Sequence, residues 1–162
     1  MEVSEATIRL INAAWIEAVE NALTIHGNTA LTTAVMKAAG QKCAQRILDD
    51  CEEMLGTRPE TVDELLDATN QRRLQIHNLD SLWEKQGNKA YLQINECGCT
   101  LVKAGLARPN PVHCICSKGL MESLFSSVCQ GPVSVEVVKA IGFGDDVCEF
   151  YVNFTSERNT HG

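Results

Sequence analysis

The apolar residues of this 162-residue chain change their spacing after Asn78. Before that point they recur every three or four residues, which is typical of amphipathic helices. After it they alternate with polar residues over short segments, which is typical of strands with one buried face. The change predicts an α+β fold, an α/β sandwich, in which N-terminal helices precede an antiparallel sheet of two hairpins separated by a helix.

The first helical segment runs from Ser4 to His26. Ser4 is a suitable N-cap, and Gly27 suits the end of a helix. One face of this helix is apolar, and we expect it to pack in the core. The residues of that face are Ile8, Ile11, Trp15, Ala18, Val19 and Ala22.

The second helical segment, Asn28 to Leu55, has an apolar stripe that changes face near Gly40. Either the helix breaks at this glycine, or one helix contacts two neighbours, for example its own core and a dimer partner. We therefore describe residues 1–78 as a helical segment suited to forming a homodimer. Residues 79–162 form a cysteine-rich domain for binding a small molecule or a metal, and the two parts make one globular unit.

A third helix and a β-hairpin follow. Thr61 and Glu64 have the spacing of a capping box at the start of the helix. Beyond Asn78, residues 82–85 and 90–96 flank a turn that contains a glycine, which predicts the first hairpin.

Four of the eight cysteines lie in two Cys-x-Cys pairs between residues 96 and 117. If each pair lies in a strand, its two thiols point to the same face, because side chains i and i+2 share a face. Two such strands side by side would bring four sulfurs together, and a cysteine on the last strand is a fifth candidate. The candidate metal ligands are Cys97, Cys99, Cys114, Cys116 and Cys148.

Converging thiolates suit zinc in tetrahedral coordination, and they also suit iron or an iron-sulfur cluster. Redox or catalytic thiols and ordinary buried cysteines are the alternatives. His113 would face away from the paired cysteines in a regular strand, so it is a weaker candidate. Ser117 is the predicted N-cap of the helix between the hairpins, and a helix N-terminus next to Cys116 would lower the pKa of that thiol.

The charge of the chain excludes some partners and indicates a compartment. Fourteen Lys and Arg against 21 Asp and Glu give a net charge of -7 without a basic cluster, which argues against binding nucleic acid. There is no 18-residue apolar run and the N-terminus is acidic, so we expect no membrane span, no signal peptide and a cytoplasmic location. Thiols stay reduced there, which favours metal-binding, catalytic or packed cysteines over disulfides.

The segment from Cys97 to Phe154 resembles the small-molecule-binding domain named after the bacteriochlorophyll four-vinyl reductases. The most specific part of the resemblance is Gly-Asp-x-x-Cys-x-Phe, which begins at Gly144. The resemblance implies hairpins and helices around an apolar pocket, and members that sense phenol hold a zinc ion with cysteines and a glutamate. The chain is also similar to uncharacterised cysteine-rich relatives with a Gly-x-Lys-Cys-Ala unit, present here from Gly40, and more loosely to the aminothiazoline-carboxylate hydrolases.

The resemblance also implies a ligand set. Cys148 matches the closing cysteine ligand, Cys114 or Cys116 matches an earlier one, and Glu96 matches the carboxylate. The family's cysteine eight residues before the last falls on Ala140 in this chain. Cys97 or Cys99 would have to replace it.

With this resemblance, we expect a cavity between the Ser117 helix and the sheet that suits a small aromatic or hydrocarbon ligand. The expected pocket residues are Trp83, Tyr91, Leu124, Phe125 and Phe150. The leading hypothesis is a metal-stabilised domain, not an enzyme, that binds or senses a small apolar molecule.

Two rival functions stay open at this point. One is a cysteine- or metal-dependent hydrolase of a small cyclic substrate, in which Cys114 or Cys116 attacks and His113 transfers protons. The other is an iron-sulfur or redox protein. The sequence has no Ser-His-Asp, HExxH, P-loop or dinucleotide-binding motif, which weighs against the hydrolase.

Overall fold

A computed structural model of the protein describes residues 3–76 and 81–155. The helices are α1 (Glu5–His26), α2 (Thr29–Leu55), α3 (Val62–Ile76), α4 (Thr100–Lys103) and α5 (Pro111–Ser126). The strands are β1 (Glu84–Gln86), β2 (Lys89–Ile94), β3 (Val133–Lys139) and β4 (Cys148–Phe154). Helices with a small antiparallel sheet make an α+β fold, which confirms the predicted fold class.

The strands form one sheet in the order β1-β2-β4-β3, and all neighbouring strands are antiparallel. The turn between β1 and β2 contains Gly87 with a φ of 62°, a left-handed conformation that glycine adopts without strain. The second hairpin joins β3 to β4, and α5 lies between the two hairpins in the sequence. Two hairpins separated by a helix are therefore confirmed.

Helix caps fix where the N-terminal helices begin and end. Ser4 Oγ accepts a hydrogen bond from the backbone of α1, and Asn28 Oδ1 does the same for α2. Gly56 ends α2 with a φ of 74°. The capping box at α3 is formed as predicted, since Glu64 N donates to Thr61 Oγ1 and Thr61 N donates to Glu64 Oε2.

The core lies between α2, α3, α5 and one face of the sheet. Side chains of β4 alternate between buried and partly exposed, so that Phe150 and Val152 face the helices. On α5, Leu124 and Phe125 are buried in the same cluster. Trp83 completes it, and Asn70 of α3 fixes the tryptophan backbone through two hydrogen bonds of 2.8 and 3.1 Å.

Helix α2 continues through Gly40 and crosses α5 at very short range. A Cβ atom added to Gly40 would collide with the backbone carbonyl oxygen of Cys116. On the other side of the crossing, a Cβ on Gly119 would lie 2.6 Å from the Cα of Lys37. The glycines are therefore required because the two helix backbones touch.

The apolar stripe of α2 changes face because the two halves of this unbroken helix have different environments. In its C-terminal half Ala44, Leu48 and Cys51 are buried in the core region. In its N-terminal half Leu31 is 50% exposed and Val35 is 37% exposed. The interpretation in which the helix breaks at Gly40 is wrong.

The strand interpretation of the first Cys-x-Cys pair is wrong. Strand β2 ends at Ile94, a bend follows at residues 95–96, and Cys97 lies after it in irregular backbone. Cys99 is the N-cap residue of α4.

The strand interpretation of the second pair is also wrong, because Cys114 and Cys116 lie in α5. The helix begins at Pro111, and the Asn110 side chain accepts a hydrogen bond from the backbone N–H of residue 113. Asparagine at the N-cap followed by proline at the first position is a strong start signal. Ser117 is consequently inside the helix and not its N-cap.

The core-packing prediction for α1 is wrong over most of its apolar face. Trp15 is 68% exposed, Ile11 59% and Ile8 47%. The buried residue of this helix is the charged Glu20. Among the residues that the structure describes, no helix is both long and apolar enough to span a membrane. The cytoplasmic location stays a prediction.

Candidate functional site

A cavity of about 500 Å³ lies between α2, α3, α5 and the buried face of the sheet. Its volume is in the range of small-molecule sites. Its lining contains apolar side chains as well as cysteines and charged groups. The apolar part of the lining, called here the apolar wall, is formed by Trp83, Leu92, Ile94, Leu120, Met121, Leu124 and Phe150.

Three of the five expected pocket residues, Trp83, Leu124 and Phe150, line this cavity. Phe125 lies behind the wall, where its ring packs edge-on against Trp83 with centroids 5.3 Å apart. Tyr91 points to the other face of the sheet and packs against Tyr151 at 4.9 Å. Successive residues of a strand point to opposite faces, so the inward position of Leu92 excludes Tyr91 from the cavity.

Six cysteines also line this cavity, and this part of the lining is called here the cysteine wall. They come from α2, from the segment between β2 and α4, from α5 and from the start of β4. They are Cys43, Cys97, Cys99, Cys114, Cys116 and Cys148. The five cysteines singled out from the sequence are thus brought to one cavity, although through a bend and a helix instead of paired strands. Cys43 joins them.

Burial raises the pKa of most of these thiols. It raises the pKa of Cys114 to about 11 and that of Cys116 to about 12, and neighbouring thiols add to both shifts. The pKa values of Cys43, Cys97 and Cys148 are also raised, mainly by burial. These five thiols are therefore protonated at neutral pH and weakly nucleophilic.

Cys99 differs from the other cavity cysteines. Burial acts to raise its pKa, but a hydrogen bond from His113 and the backbone N–H groups of Val102 and Leu101 outweigh it and lower the pKa. The position of Cys99 at the start of α4 explains why helix N–H groups point at its sulfur. Cys99 is the thiol of this wall that is best prepared to ionise.

A buried chain of polar side chains connects Cys99 to α1. His113 Nε2 lies 3.2 Å from Cys99 Sγ, and His113 Nδ1 lies 2.5 Å from Glu20 Oε1. Asn110 Nδ2 donates to Glu20 Oε2 at 2.7 Å and holds the carboxylate in place. The histidine and the glutamate are both almost inaccessible to solvent, with 4% and 7% exposure.

The electrostatics of His113 follow from this chain. Its contact with Cys99 and then its contact with Glu20 raise its pKa to about 9, against the opposing effect of burial. A carboxylate, an imidazole and a thiol in this order resemble the arrangement that activates nucleophiles in hydrolases. The Cys99–His113–Glu20 chain was not predicted from the sequence.

Charged groups of α2 and α3 also line the cavity. Asp50 accepts hydrogen bonds from Arg72 at 2.7 and 2.8 Å and forms an ion pair with Arg46 at 2.7 Å. Arg72 is 8% exposed, so this pair is largely shielded from water.

The predicted metal centre is not visible as a ready-made site. Within residues 3–76 and 81–155, no three His, Cys, Asp or Glu side chains are grouped as a metal site would require. Glu96, the carboxylate implied by the resemblance, is exposed and pairs with Lys103 at 2.9 Å. The metal centre stays a prediction.

The sequence was compared with known families. The model of DUF6144, a family of unknown function, matches residues 3–158. The chain belongs to this family. A search of curated proteins finds no significant match to this DUF6144 protein.

Solved structures share the fold of this DUF6144 chain at low sequence identity. A trafficking protein particle complex subunit 3 from Naegleria fowleri, covalently bound to palmitic acid, is 13% identical with a TM-score of 0.59, covering 96% of this chain and 100% of its own. An H-NOX protein from S. oneidensis in the Fe(II) ligation state is 12% identical with a TM-score of 0.58, covering 100% of this chain and 79% of its own. The phenol-responsive sensory domain of the transcription activator PoxR, with phenol, is 10% identical with a TM-score of 0.51, covering 88% of this chain and 74% of its own.

The resemblance to the four-vinyl-reductase-type domain is confirmed in part. A vinyl-4-reductase family protein from Methanocaldococcus jannaschii is 12% identical with a TM-score of 0.42, covering 96% of this chain and 84% of its own. The similarity to the trafficking subunit and to the H-NOX protein is stronger. The likeness to these structures concerns the fold.

Proposed function

We propose that this DUF6144 protein binds a small apolar molecule in the cavity between α5 and the sheet, in the manner of a ligand-binding or sensory domain. The observation that carries the proposal is the cavity itself, about 500 Å³ with Trp83, Leu124 and Phe150 on its apolar wall. A core of this size normally packs without such a space, because protein interiors have crystal-like density. Structures of similar fold bind phenol and palmitic acid, which supports the proposal.

A binding experiment tests the proposal. Phenol, naphthalene and dodecanol would be titrated into the full chain, with heat of binding and the shift in Tm as the readouts. Leu124→Trp places a larger side chain in the cavity and is expected to weaken binding at least tenfold. Tyr91→Leu, on the outer face of the same sheet, is the control and should leave binding unchanged. Absence of binding by all three compounds, or equal binding by both variants, contradicts the proposal.

Metal stabilisation is a separate part of the proposal. The five cysteines predicted as ligands line one wall, which supports it, and zinc is the ion that thiolates suit best, with iron or an iron-sulfur cluster as alternatives. Elemental analysis of anaerobically purified protein is the test. One metal ion per chain, lost in both Cys97→Ser and Cys116→Ser, is the expected result. Metal-free protein of unchanged stability would contradict it.

A second candidate function is cysteine-dependent acyl transfer, and the Cys99–His113–Glu20 chain favours it. In this reaction His113 carries the proton and pairs with the thiolate of Cys99, whose Sγ attacks the carbonyl carbon of a bound ester or thioester. The bond from that carbon to the leaving alcohol or thiol breaks, and His113 returns the proton to the leaving group. Water then hydrolyses the acyl-cysteine to a carboxylic acid and free Cys99. The nucleophile is therefore Cys99 and not Cys114 or Cys116, whose pKa values are raised.

Mass spectrometry tests this second function. The intact protein would be treated with 4-nitrophenyl acetate, quenched early and digested to locate the acetyl group. We expect the label on Cys99 and about 100-fold less of it in Cys99→Ser and His113→Gln. Cys43→Ser changes another thiol of the same wall and is the matched control. Labelling spread equally over the cysteines would rule the function out. A metal ion bound at Cys99 would also rule out this function, because a thiolate that coordinates a metal is not free to attack the ester.

The exposed apolar face of α1 supports the predicted homodimer. Trp15, Ile11 and Ile8 are each about half exposed or more, and Leu31 and Val35 of α2 add apolar surface. A helix that is apolar on its solvent side is usually covered by another element. The proposed partner is a second copy of the chain.

A further inference from the structure

Arg73 of α3 lines the cavity and has an unpaired nitrogen. Its Nε donates a hydrogen bond to the carbonyl oxygen of Ser81 at 3.0 Å. Its Nη2 is buried and has no hydrogen-bond partner among residues 3–76 and 81–155. Among the described residues, it is the one buried side-chain nitrogen or oxygen that lacks a hydrogen-bond partner. Native proteins rarely leave such a group without a partner.

Three arginines and one carboxylate belong to the described lining of the cavity. Arg46, Arg72 and Arg73 line the cavity, and among the described lining residues Asp50 is the carboxylate that faces them. Asp50 is already engaged by Arg46 and Arg72, at 2.7 Å each. The positive charge of Arg73 is therefore left without a counter-charge from the described wall.

Arg73 nevertheless keeps its charge at neutral pH. Burial and the nearby Arg72 lower its pKa to about 10, which is still well above 7. Arg73 is half-buried, and a guanidinium nitrogen that is shielded from water without a partner is unfavourable until an anion pairs with it. An arginine N–H group also prefers the oxygens of a carboxylate or phosphate.

Resting on the proposed binding function, we propose that the ligand is an apolar molecule with a carboxylate head, whose oxygen accepts a hydrogen bond from Arg73 Nη2. The apolar part of the ligand then lies against Trp83 and Phe150, which line the same cavity. A carboxylate is a smaller head group than a phosphate, and one of its oxygens can accept the hydrogen bond that Arg73 Nη2 lacks. On binding, Arg73 and the carboxylate would each lose hydrogen bonds to water. They would gain a charged hydrogen bond to each other that is shielded from solvent.

Pairs of ligands that differ only at the head group test this proposal. Benzoate would be compared with benzamide, and hexanoate with hexanamide, by calorimetric titration of the full chain at pH 7. We expect each acid to bind roughly tenfold or more tightly than its amide, the usual effect of a hydrogen bond to a charged group. Arg73→Met keeps the length of the side chain without the charge and should reduce this ratio to about one. Arg46→Met is the matched control, because Arg46 lines the same cavity but pairs with Asp50.

Each outcome decides between the two proposals. A preference for acids that is lost in Arg73→Met and kept in Arg46→Met supports the carboxylate head. Equal binding of acid and amide to the wild type overturns the carboxylate head and leaves the binding function intact. A preference for acids that survives in Arg73→Met has the same meaning. Failure of all four compounds to bind overturns the carboxylate head, and the binding function is then decided by phenol, naphthalene and dodecanol. The acid-to-amide ratio of the wild type needs no variant, so the proposal can fail even if Arg73→Met does not fold.

Discussion

Helices α1 and α5 are both rich in apolar residues, but they use them in opposite ways. On α5, Met121, Leu124 and Phe125 are buried, and the helix crosses α2 at backbone contact distance. On α1 the largest apolar side chain, Trp15, is 68% exposed, while the charged Glu20 is buried. Helix α5 is thus held by packing, whereas α1 is held by polar contacts of Arg9 and Glu20.

The polar contacts of Glu20, called here the polar anchor of α1, lie where His113 and Cys99 line the cavity. Glu20 contacts His113 and Asn110, both at the start of α5. Near its own N-terminus, Arg9 donates to the carbonyl oxygen of Ala104 at 2.5 Å. Any displacement of α1 would withdraw the carboxylate from His113 and change the environment of Cys99. The geometry of the candidate site therefore depends on the position of α1, a helix that is otherwise loosely packed.

The largest expected effect is at the crossing that holds α5. Gly40→Val should destabilise the protein by about 3 kcal/mol or more, because the added carbons overlap the backbone of Cys116 and force the two helices apart. Ala38→Val, on the exposed side of the same helix, is the control and should cost about 0.5 kcal/mol through helix propensity alone. Urea unfolding of both variants measures the difference. Similar midpoints would show that the crossing is not as tight as the structure indicates.

The second effect is the pH dependence of the polar anchor. Folding raises the pKa of His113 to about 9, so the charged imidazole stabilises the fold fully below about pH 6.5, its ordinary value, and this contribution is lost as the pH rises through about 9. The free energy of unfolding of the wild type, relative to His113→Gln, should therefore shrink by about 2 kcal/mol between pH 6.5 and pH 9.

Urea unfolding at several pH values measures this difference. Glu20→Gln removes one of the contacts that raise the pKa and should move the loss to lower pH. A difference between wild type and His113→Gln that stays constant or grows with pH would contradict the buried ion pair.

The parts of the fold that local rules govern were predictable from the sequence. The Thr61–Glu64 capping box, the first hairpin and the buried face of β4 depend on residues close in sequence, and all three are present. The five predicted cysteines do line one cavity, but not through paired strands. Alternating cysteines are typical of a strand, whereas the Asn110-Pro111 start signal makes residues 111–126 a helix.

The parts that were missed depend on contacts between distant residues. Glu20 meets His113 across 93 positions, and no local periodicity relates the two. On its own helix Glu20 lies where a solvent-exposed acid would be expected. The missing partner of Arg73 is likewise a property of the assembled cavity. The exposed Trp15 was misjudged because an apolar stripe predicts that a face will be covered, but does not say by what.

The third expected effect concerns that exposed face. If α1 binds a second copy of the chain, Trp15→Lys should weaken self-association at least tenfold, because it places a charge in an apolar contact. Phe143→Lys is the matched control, since Phe143 is 61% exposed and lies on the turn before β4, outside the apolar face of α1. Analytical ultracentrifugation over a range of concentrations measures both. A wild type that is monomeric at all concentrations would show that the face is not a homodimer contact.

The smallest effect compares the N-caps of the two helices. Ser4→Ala should cost about 0.5–1 kcal/mol, because it removes a single cap hydrogen bond at the exposed end of α1. Asn110→Ala should cost about 1 kcal/mol more, because Asn110 caps α5 through His113 N and also holds the carboxylate of Glu20. Asn110→Asp keeps the cap acceptor but brings a second negative charge next to Glu20, so it should recover little of the loss. If Asn110→Ala and Ser4→Ala shift the urea midpoint equally, Asn110 acts as a helix cap alone, and α1 is not anchored through it.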